Sequence, residues 1–214
     1  MAETLRDRTR RAVRAELADA AVALFAERGF DETTVEDIAR AVGMTKRSFF
    51  RYFPTKEDAV FAGTEVLVEQ VVEDLRARPA GEDPWECLHQ VLRRWHEQIH
   101  TSATALAHQR LIETTPVLRA RLHQKRELWR HAARDALVAR SAGALDTFTA
   151  DLLANAAVAV LDSVAAEWVR TDGRADRTEL LDRGFAALRP MPPGATEEAR
   201  VSSRDAPDRG PDGA

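Results

Sequence analysis

Residues 21–59 read AVALFAERGFDETTVEDIARAVGMTKRSFFRYFPTKEDA, and their punctuation decides the fold. Val13, Leu17, Ala20, Ala21, Leu24 and Phe25 recur at three- and four-residue steps, one apolar stripe of an amphipathic helix, and Gly29 follows as a natural C-terminal cap. This predicts a first helix over roughly residues 8–28. Thr33-Thr34-Val35-Glu36-Asp37 then offers a threonine N-cap with an acid three residues on, and Val35, Ile38, Ala39 and Val42 make a short apolar face that stops at Gly43. Thr45 can cap a third helix of barely two turns, because Pro54 disfavours helical geometry in the residue before it. Two short helices about a glycine-containing turn describe a helix-turn-helix.

The third helix carries Lys46, Arg47, Ser48, Arg51 and Tyr52 on its polar side and Phe49, Phe50 and Phe53 for packing. It is small enough to enter a major groove, where Lys and Arg reach guanine acceptors and Ser or Thr contact bases or phosphates. A merely solvated basic face is the competing account. The chain as a whole is acidic, with 31 Lys+Arg against 35 Asp+Glu and a net charge of −4. A partner feels local patches rather than the total. Residues 1–56 hold eleven basic and nine acidic side chains, and no acid lies between 45 and 56. Two basic clusters stand out, Arg6, Arg8, Arg10, Arg11 and Arg14, then Lys46, Arg47, Arg51 and Lys56. The first is expected to form an arm before helix one that reaches an adjacent minor groove, or else to be disordered.

In order and spacing, Ala21 to Ala59 resembles the signature of the TetR family of bacterial transcriptional regulators, over about the first sixty residues. The resemblance implies a three-helix DNA-binding domain, a fourth helix from Lys56 linking it to a larger helical domain, dimerisation, and release from DNA when a small molecule binds the larger domain. Thr34, Thr45, Lys46, Arg47, Ser48, Tyr52 and Lys56 match DNA-contacting positions of the family. Phe50 stands where members often have a tyrosine whose hydroxyl would bond a phosphate, and Arg51 beside it is expected to take over that contact.

Working outward, helix formers dominate and no convincing strand is present, so the fold expected is all-α, with no sheet and about nine helices. A single cysteine, Cys87, excludes a secreted disulfide scaffold; with no apolar signal region and no run of ~20 apolar residues, a cytoplasmic protein with no membrane partner is expected. The chain divides into a helix-turn-helix domain over 1–55, a ligand-binding and dimerisation domain over 56–189, and a disordered tail over 190–214, where prolines and glycines cluster. The larger domain is expected to hold a long connecting helix from Lys56 to about Arg76, a helix from Pro84, and further helices near 103–114, 116–140, 147–171 and 177–189.

His96-Glu97-Gln98-Ile99-His100 matches H-E-x-x-H, the zinc-peptidase pattern in which two histidines bind metal and the glutamate activates water. A zinc-dependent hydrolase is therefore the rival reading. No third ligand falls in a recognisable second motif, and the longer metzincin form fails at Ala103 and Leu106. His89, His96 and His100 lie near one helix face and offer a metal-sensing alternative, with solvated or satisfied histidines the default. No nucleophile constellation, cofactor or enzymatic activity is expected. Trp85, Trp95, Ile99, Leu106, Arg110, Leu111 and Trp129 are candidates to line an effector pocket, with core packing as their other reading. Cys87 reads as a small buried hydrophobe. Phe148, Leu152, Ala156, Val160, Val164 and Trp168, with Leu181 and Phe185, are expected to build an isologous four-helix interface, against the alternative of packing within one chain.

A narrower resemblance rests on RSFFRYFPTKED, LRARPAGEDP, QRLIETTPVLRARL and the closing EW…FAAL. These are similar to regulators with an acyl-CoA-responsive C-terminal domain of the mycofactocin-regulator type. The resemblance implies that Arg110, Arg119 or Arg121 receives a CoA phosphate or an acyl carboxylate, which guanidinium binds bidentately. The reading is a homodimeric one-component regulator, a repressor released from a palindromic double-stranded DNA operator by a small-molecule effector.

Overall fold

The computed structural model describes residues 4–62, 65–99 and 105–189, with ten α-helices and no strand among them. They are α1 Leu5–Arg28, α2 Val35–Ala41, α3 Lys46–Phe49, α4 Lys56–Val60, α5 Glu65–Ala77, α6 Pro84–Ile99, α7 Ala105–Thr114, α8 Pro116–Arg140, α9 Thr147–Arg170 and α10 Arg177–Ala187. The tail over 190–214 lies outside the described residues.

Local chemistry explains most of these ends. Pro116 opens α8 at a position where its missing N–H costs nothing, and Asp146 caps α9 by accepting from the Thr149 N–H at 3.0 Å. Gly43, in the turn between α2 and α3, has φ +68°, a conformation that a side chain with Cβ adopts only at a steric cost. Thr45 then accepts from the Ser48 N–H at 3.1 Å, and the chain stays coiled past α3 until Phe53, whose N–H donates to the Phe49 carbonyl at 3.0 Å.

One expectation is corrected. The helix read as continuous from Lys56 to Arg76 is two helices, α4 ending at Val60 with Phe61 as its C-cap and α5 beginning at Glu65. The apolar periodicity runs on across Gly63-Thr64, yet a glycine followed by a capping residue is poor helix sequence.

Two apolar cores result. The first gathers Leu17, Phe25, Ile38, Phe49, Phe53 and Phe61 from α1 to the end of α4, and takes in Ile112 of α7 and Leu118 of α8. The second lies among α5, α6, α8, α9 and α10, around Leu75, Trp85, Leu92, Leu137, Val160 and Phe185. Trp85 ties α6 to α10, its Nε1–H donating to the Phe185 carbonyl at 3.0 Å. At Gly184 a Cβ would come within 2.6 Å of Val160 Cγ1, so α9 and α10 approach more closely than any larger residue there allows. Helix α9 is long and apolar enough to cross a membrane by length and composition. Here one face packs on α8 and α10, and Phe148 and Leu152 stand 77% and 57% exposed on another.

Candidate functional site

The helix-turn-helix holds its polar residues outward by capping. Thr34 accepts from the Asp37 N–H at 3.2 Å while its own N–H donates to Asp37 Oδ2 at 3.1 Å, a reciprocal box that fixes the start of α2. Thr34, Thr45, Lys46, Arg47 and Arg51 are exposed; Ser48 and Tyr52 are half-buried. Lys46 Nζ lies 2.5 Å from Glu36 Oε1, bridging α3 to α2, and its hydrogen bond holds the Glu36 carboxyl below the usual range. Phe50 is 45% exposed, its ring set edge-on against Phe49, whose own side chain is fully buried.

Two basic residues face inward instead. Lys56 Nζ donates to the carbonyls of Phe30 at 2.6 Å and Thr33 at 3.1 Å and sits 4.2 Å from the Phe30 ring centroid, so it clamps α4 onto the α1–α2 connection. Arg14 Nη1–H donates to the Tyr52 carbonyl at 2.5 Å, with its guanidinium over the Phe53 ring. Nor is the first basic cluster an arm preceding helix one: Arg6, Arg8, Arg10, Arg11 and Arg14 all lie on α1, which begins at Leu5. The Arg14–Tyr52 bond sets α1 at Arg14 beside the coil that follows α3, which brings one member of the first basic cluster near the second. Sequence carries no signal for that bond, because its acceptor is a backbone carbonyl 38 residues away.

Helix α4 is tied to both α8 and α7. Asp58, 3% exposed, accepts from the Thr55 N–H and hydroxyl at 3.2 and 2.8 Å and from Arg121 Nη2 of α8 at 2.7 Å. Burial works against its charge, and the hydrogen bonds from Arg121 and Thr55 outweigh that and hold the carboxyl below its usual value. At the other end the Val60 carbonyl accepts from His108 Nε2–H of α7 at 2.6 Å.

The candidate effector residues are spread over the larger domain. Trp85 and Trp129 are buried in the second core, with Trp95 partly buried against it. Leu111 packs on the first core, and Leu106 meets Gly173 in the α9–α10 connection. Arg110 is exposed and ion-paired with Asp172, Arg121 is taken by Asp58, and Arg119 is exposed. The side chain of Ile99 lies outside the described residues. Of the candidate dimer residues, Val160, Val164, Leu181 and Phe185 are buried within the protomer, Ala156 and Trp168 are partly buried, and Phe148 and Leu152 are exposed.

The H-E-x-x-H pattern is divided by the helix that carries it. His96 is 4% exposed, and burial pushes its pKa down to about 3, aided by the nearby Arg177 charge. Glu97 is exposed and ion-paired with Arg93 at 3.2 Å. His89 lies 2.7 Å from Asp182 and stacks on Phe185, and His100 lies outside the described residues. No cluster of three or more His, Cys, Asp or Glu that could hold a metal occurs among the described residues. Cys87 is fully buried, and burial raises its thiol pKa to about 11.

Residues 17–62 match the bacterial regulatory proteins of the tetR family, and residues 82–193 match the MftR C-terminal domain. The HTH-type transcriptional regulator TcmR of Streptomyces glaucescens is 34% identical over 130 residues, 58% of this chain and 58% of that protein, so the match spans little more than half of TcmR. MftR of Mycobacterium tuberculosis is 26% identical over 175 residues, 79% of this chain and 85% of that protein. In fold, the chain is similar to FadR from Bacillus subtilis, solved in complex with stearoyl-CoA, with a TM-score of 0.55 and 20% identity over 81% of this chain and 96% of that one. None of these three relatives is named as a hydrolase. With a helix-turn-helix at one end and the matched C-terminal domain covering more than half of its length, the chain belongs to the TetR family of DNA-binding bacterial transcriptional regulators, with a C-terminal domain of the MftR type.

Proposed function

We propose that the protein is a homodimeric one-component repressor that occupies a palindromic operator and leaves it when a small molecule binds the C-terminal domain. The observation that carries this reading is the outward set of Lys46, Arg47 and Arg51 around a capped recognition helix whose inner side, Phe49 and Phe53, is fully buried. Arg47 and Ser48 read base edges, and Thr34, Thr45, Lys46, Arg51 and Tyr52 fix the register on phosphates. Lys56 belongs to the same surface chiefly by holding it in shape. The dimer forms through the outer stripe of α9, from Phe148 and Leu152 to Ala159 and Ala166, with Leu188 at the end of α10; two-fold pairing of such a stripe is isologous. The protein acts in the bacterial cytoplasm, where its operator is.

Release requires the effector to bind one dimer shape better than another. Arg121–Asp58 and His108–Val60 make α7 and α8 the parts whose displacement moves α4, and through Lys56 the α1–α2 connection. An acyl-CoA-like effector is the first class to try, since a neighbour in fold is solved with stearoyl-CoA.

Fluorescence anisotropy of a labelled duplex from the DNA upstream of the gene tests this, read as a function of salt and then with a panel of acyl-CoAs. Tight binding that weakens with salt, followed by release on adding one effector class, is the expected result. A duplex affinity that is weak, sequence-indifferent and unchanged by Arg47→Ala would remove the operator reading.

A further inference from the structure

Several arginines of the larger domain have acceptors in their own chain. Arg121 has Asp58, Arg126 has Asp162, Arg130 has Glu127, and Arg140 donates to the Pro79 and Glu82 carbonyls. Arg177, at the start of α10, is different. Its guanidinium carbon lies 4.3 Å from the Trp168 ring centroid; its Nε is buried without an acceptor, as are those of Arg130 and Arg140, but unlike those two it has no acceptor at its other nitrogens among the described residues. Burial pushes its pKa down to about 10, as it does that of Arg126.

Of the acids nearest in sequence and fold among the described residues, Glu179 is exposed and the others have partners of their own. Asp176 caps α10, accepting from the Thr178 and Glu179 N–H groups at 2.8 and 3.0 Å. Asp172 serves Arg110 and Arg174, Glu167 serves Arg170, and Asp182 serves His89 and Arg93. His96, close enough for the Arg177 charge to depress its pKa, is neutral at physiological pH and brings no negative charge. Next along α6, and 6.2 Å from the His96 ring, the Trp95 indole has a buried Nε1–H that also finds no acceptor among the described residues. A buried donor without a partner is costly and uncommon in a native protein, and among the described residues two such donors, on Trp95 and Arg177, lie near His96.

Resting on the reading of this domain as the effector-binding one, we propose that Arg177, laid on Trp168 beside His96 and Trp95, anchors the anionic group of the effector. With one face of the guanidinium covered by the indole, the ligand approaches in the plane, through the Nε edge. That edge pairs bidentately with two oxygens of one group, so the ligand is an amphipathic molecule bearing a carboxylate or a phosphate. Its apolar part lies against the second core, which Trp95 borders. The role that the sequence resemblance gives to Arg110, Arg119 or Arg121 passes in this proposal to Arg177, since Arg110 and Arg121 are already paired with Asp172 and Asp58 and Arg119 is exposed.

The test uses the full chain, wild type and with Arg177→Gln or Arg177→Lys, titrated with laurate, benzoate, lauroyl-CoA and inorganic phosphate while tryptophan emission is followed. At least one probe is expected to quench the wild type, with Arg177→Gln weakening it about 30-fold or more and Arg177→Lys, which keeps the charge but not the fork, about tenfold. Binding of a free acid identifies a carboxylate; binding of the thioester alone identifies the CoA phosphates. Equal binding by wild type and Arg177→Gln, or no quenching by any probe at about 1 mM, overturns the proposal. Sedimentation and operator affinity of Arg177→Gln are expected to match the wild type. A monomeric Arg177→Gln would assign this cation to the subunit interface and likewise overturn it. A probe that binds through Arg177 and leaves the operator complex intact would keep the anion site and end the effector-release reading instead.

Discussion

Helix α3 and the C-terminal half of α6 carry comparable sequence advertisements, a run of basic and hydroxyl side chains in one and a metal-binding pattern in the other. Their environments differ. Around α3 the charged groups are in solvent, the aromatic ones are inside, and Thr45 spends its oxygen on the helix start. On α6 the helix turns successive residues about 100° apart, so His96 enters the core while Glu97 stays outside with Arg93. A histidine whose pKa is near 3 is a neutral packing group, and what faces it is Arg177, a cation. The comparison teaches that side-chain type proposes a chemistry, and the field and solvent around it decide whether that chemistry runs.

The contrast breaks most visibly if the inner side of α3 is softened. Phe49→Ala should cost about 3–5 kcal/mol, from lost burial and the cavity left behind, and chemical denaturation measures it. A loss under about 1 kcal/mol would mean that α3 is not supported as described.

On α6 the corresponding test is pH. The His96 pKa is depressed on folding, so the unfolded chain binds more protons between its ordinary value and about 3. Stability from this residue is complete above about pH 6.5 and falls by about 1.4 kcal/mol for each unit of acidification below it. His96→Leu should flatten that slope in denaturation curves taken across pH, and an unchanged slope would place the proton elsewhere.

Arg47→Ala should weaken the operator complex by about 1–3 kcal/mol with little effect on random duplex, which competition anisotropy resolves. Lys56→Ala sharpens the same point by going the other way. Because its ammonium is bonded to the Phe30 and Thr33 carbonyls, its removal should lower the Tm and leave the salt slope of DNA binding nearly unchanged. A slope reduced by about one would return Lys56 to the phosphates. Smallest of all, Glu97→Gln should change stability by less than about 1 kcal/mol, the scale of an exposed ion pair; a larger loss would show that Glu97 does more than its exposure allows.

Much of the fold was legible because its signals are local. Pro116, Gly29, Gly43 and the threonine caps each act within one turn, and helix α8 was read from 116 to 140 as it stands. The break between α4 and α5 was lost because apolar periodicity on both sides of Gly63-Thr64 stays in phase. In the helix-turn-helix the caps and the exposed arginines were readable, whereas the inward turn of Lys56 and Arg14 depends on carbonyls brought near only by folding. The closeness of His96 to the Arg177 charge was beyond reach for the same reason, since burial belongs to the assembled molecule. So was the split of the α9 stripe into an exposed row at Phe148 and Leu152 and a buried one at Val160 and Val164.

The isolation of Cys87 has a practical side. With the chain's one thiol fully buried and its pKa near 11, thiolate-directed reagents at neutral pH meet almost no nucleophile. A cysteine introduced at an exposed site such as Ala26 on α1 would be modified in its place, with no need to remove the native one. Spin or fluorescent labels attached there would report the span between the two DNA-reading heads of a dimer, with and without ligand, on the natural background of the protein.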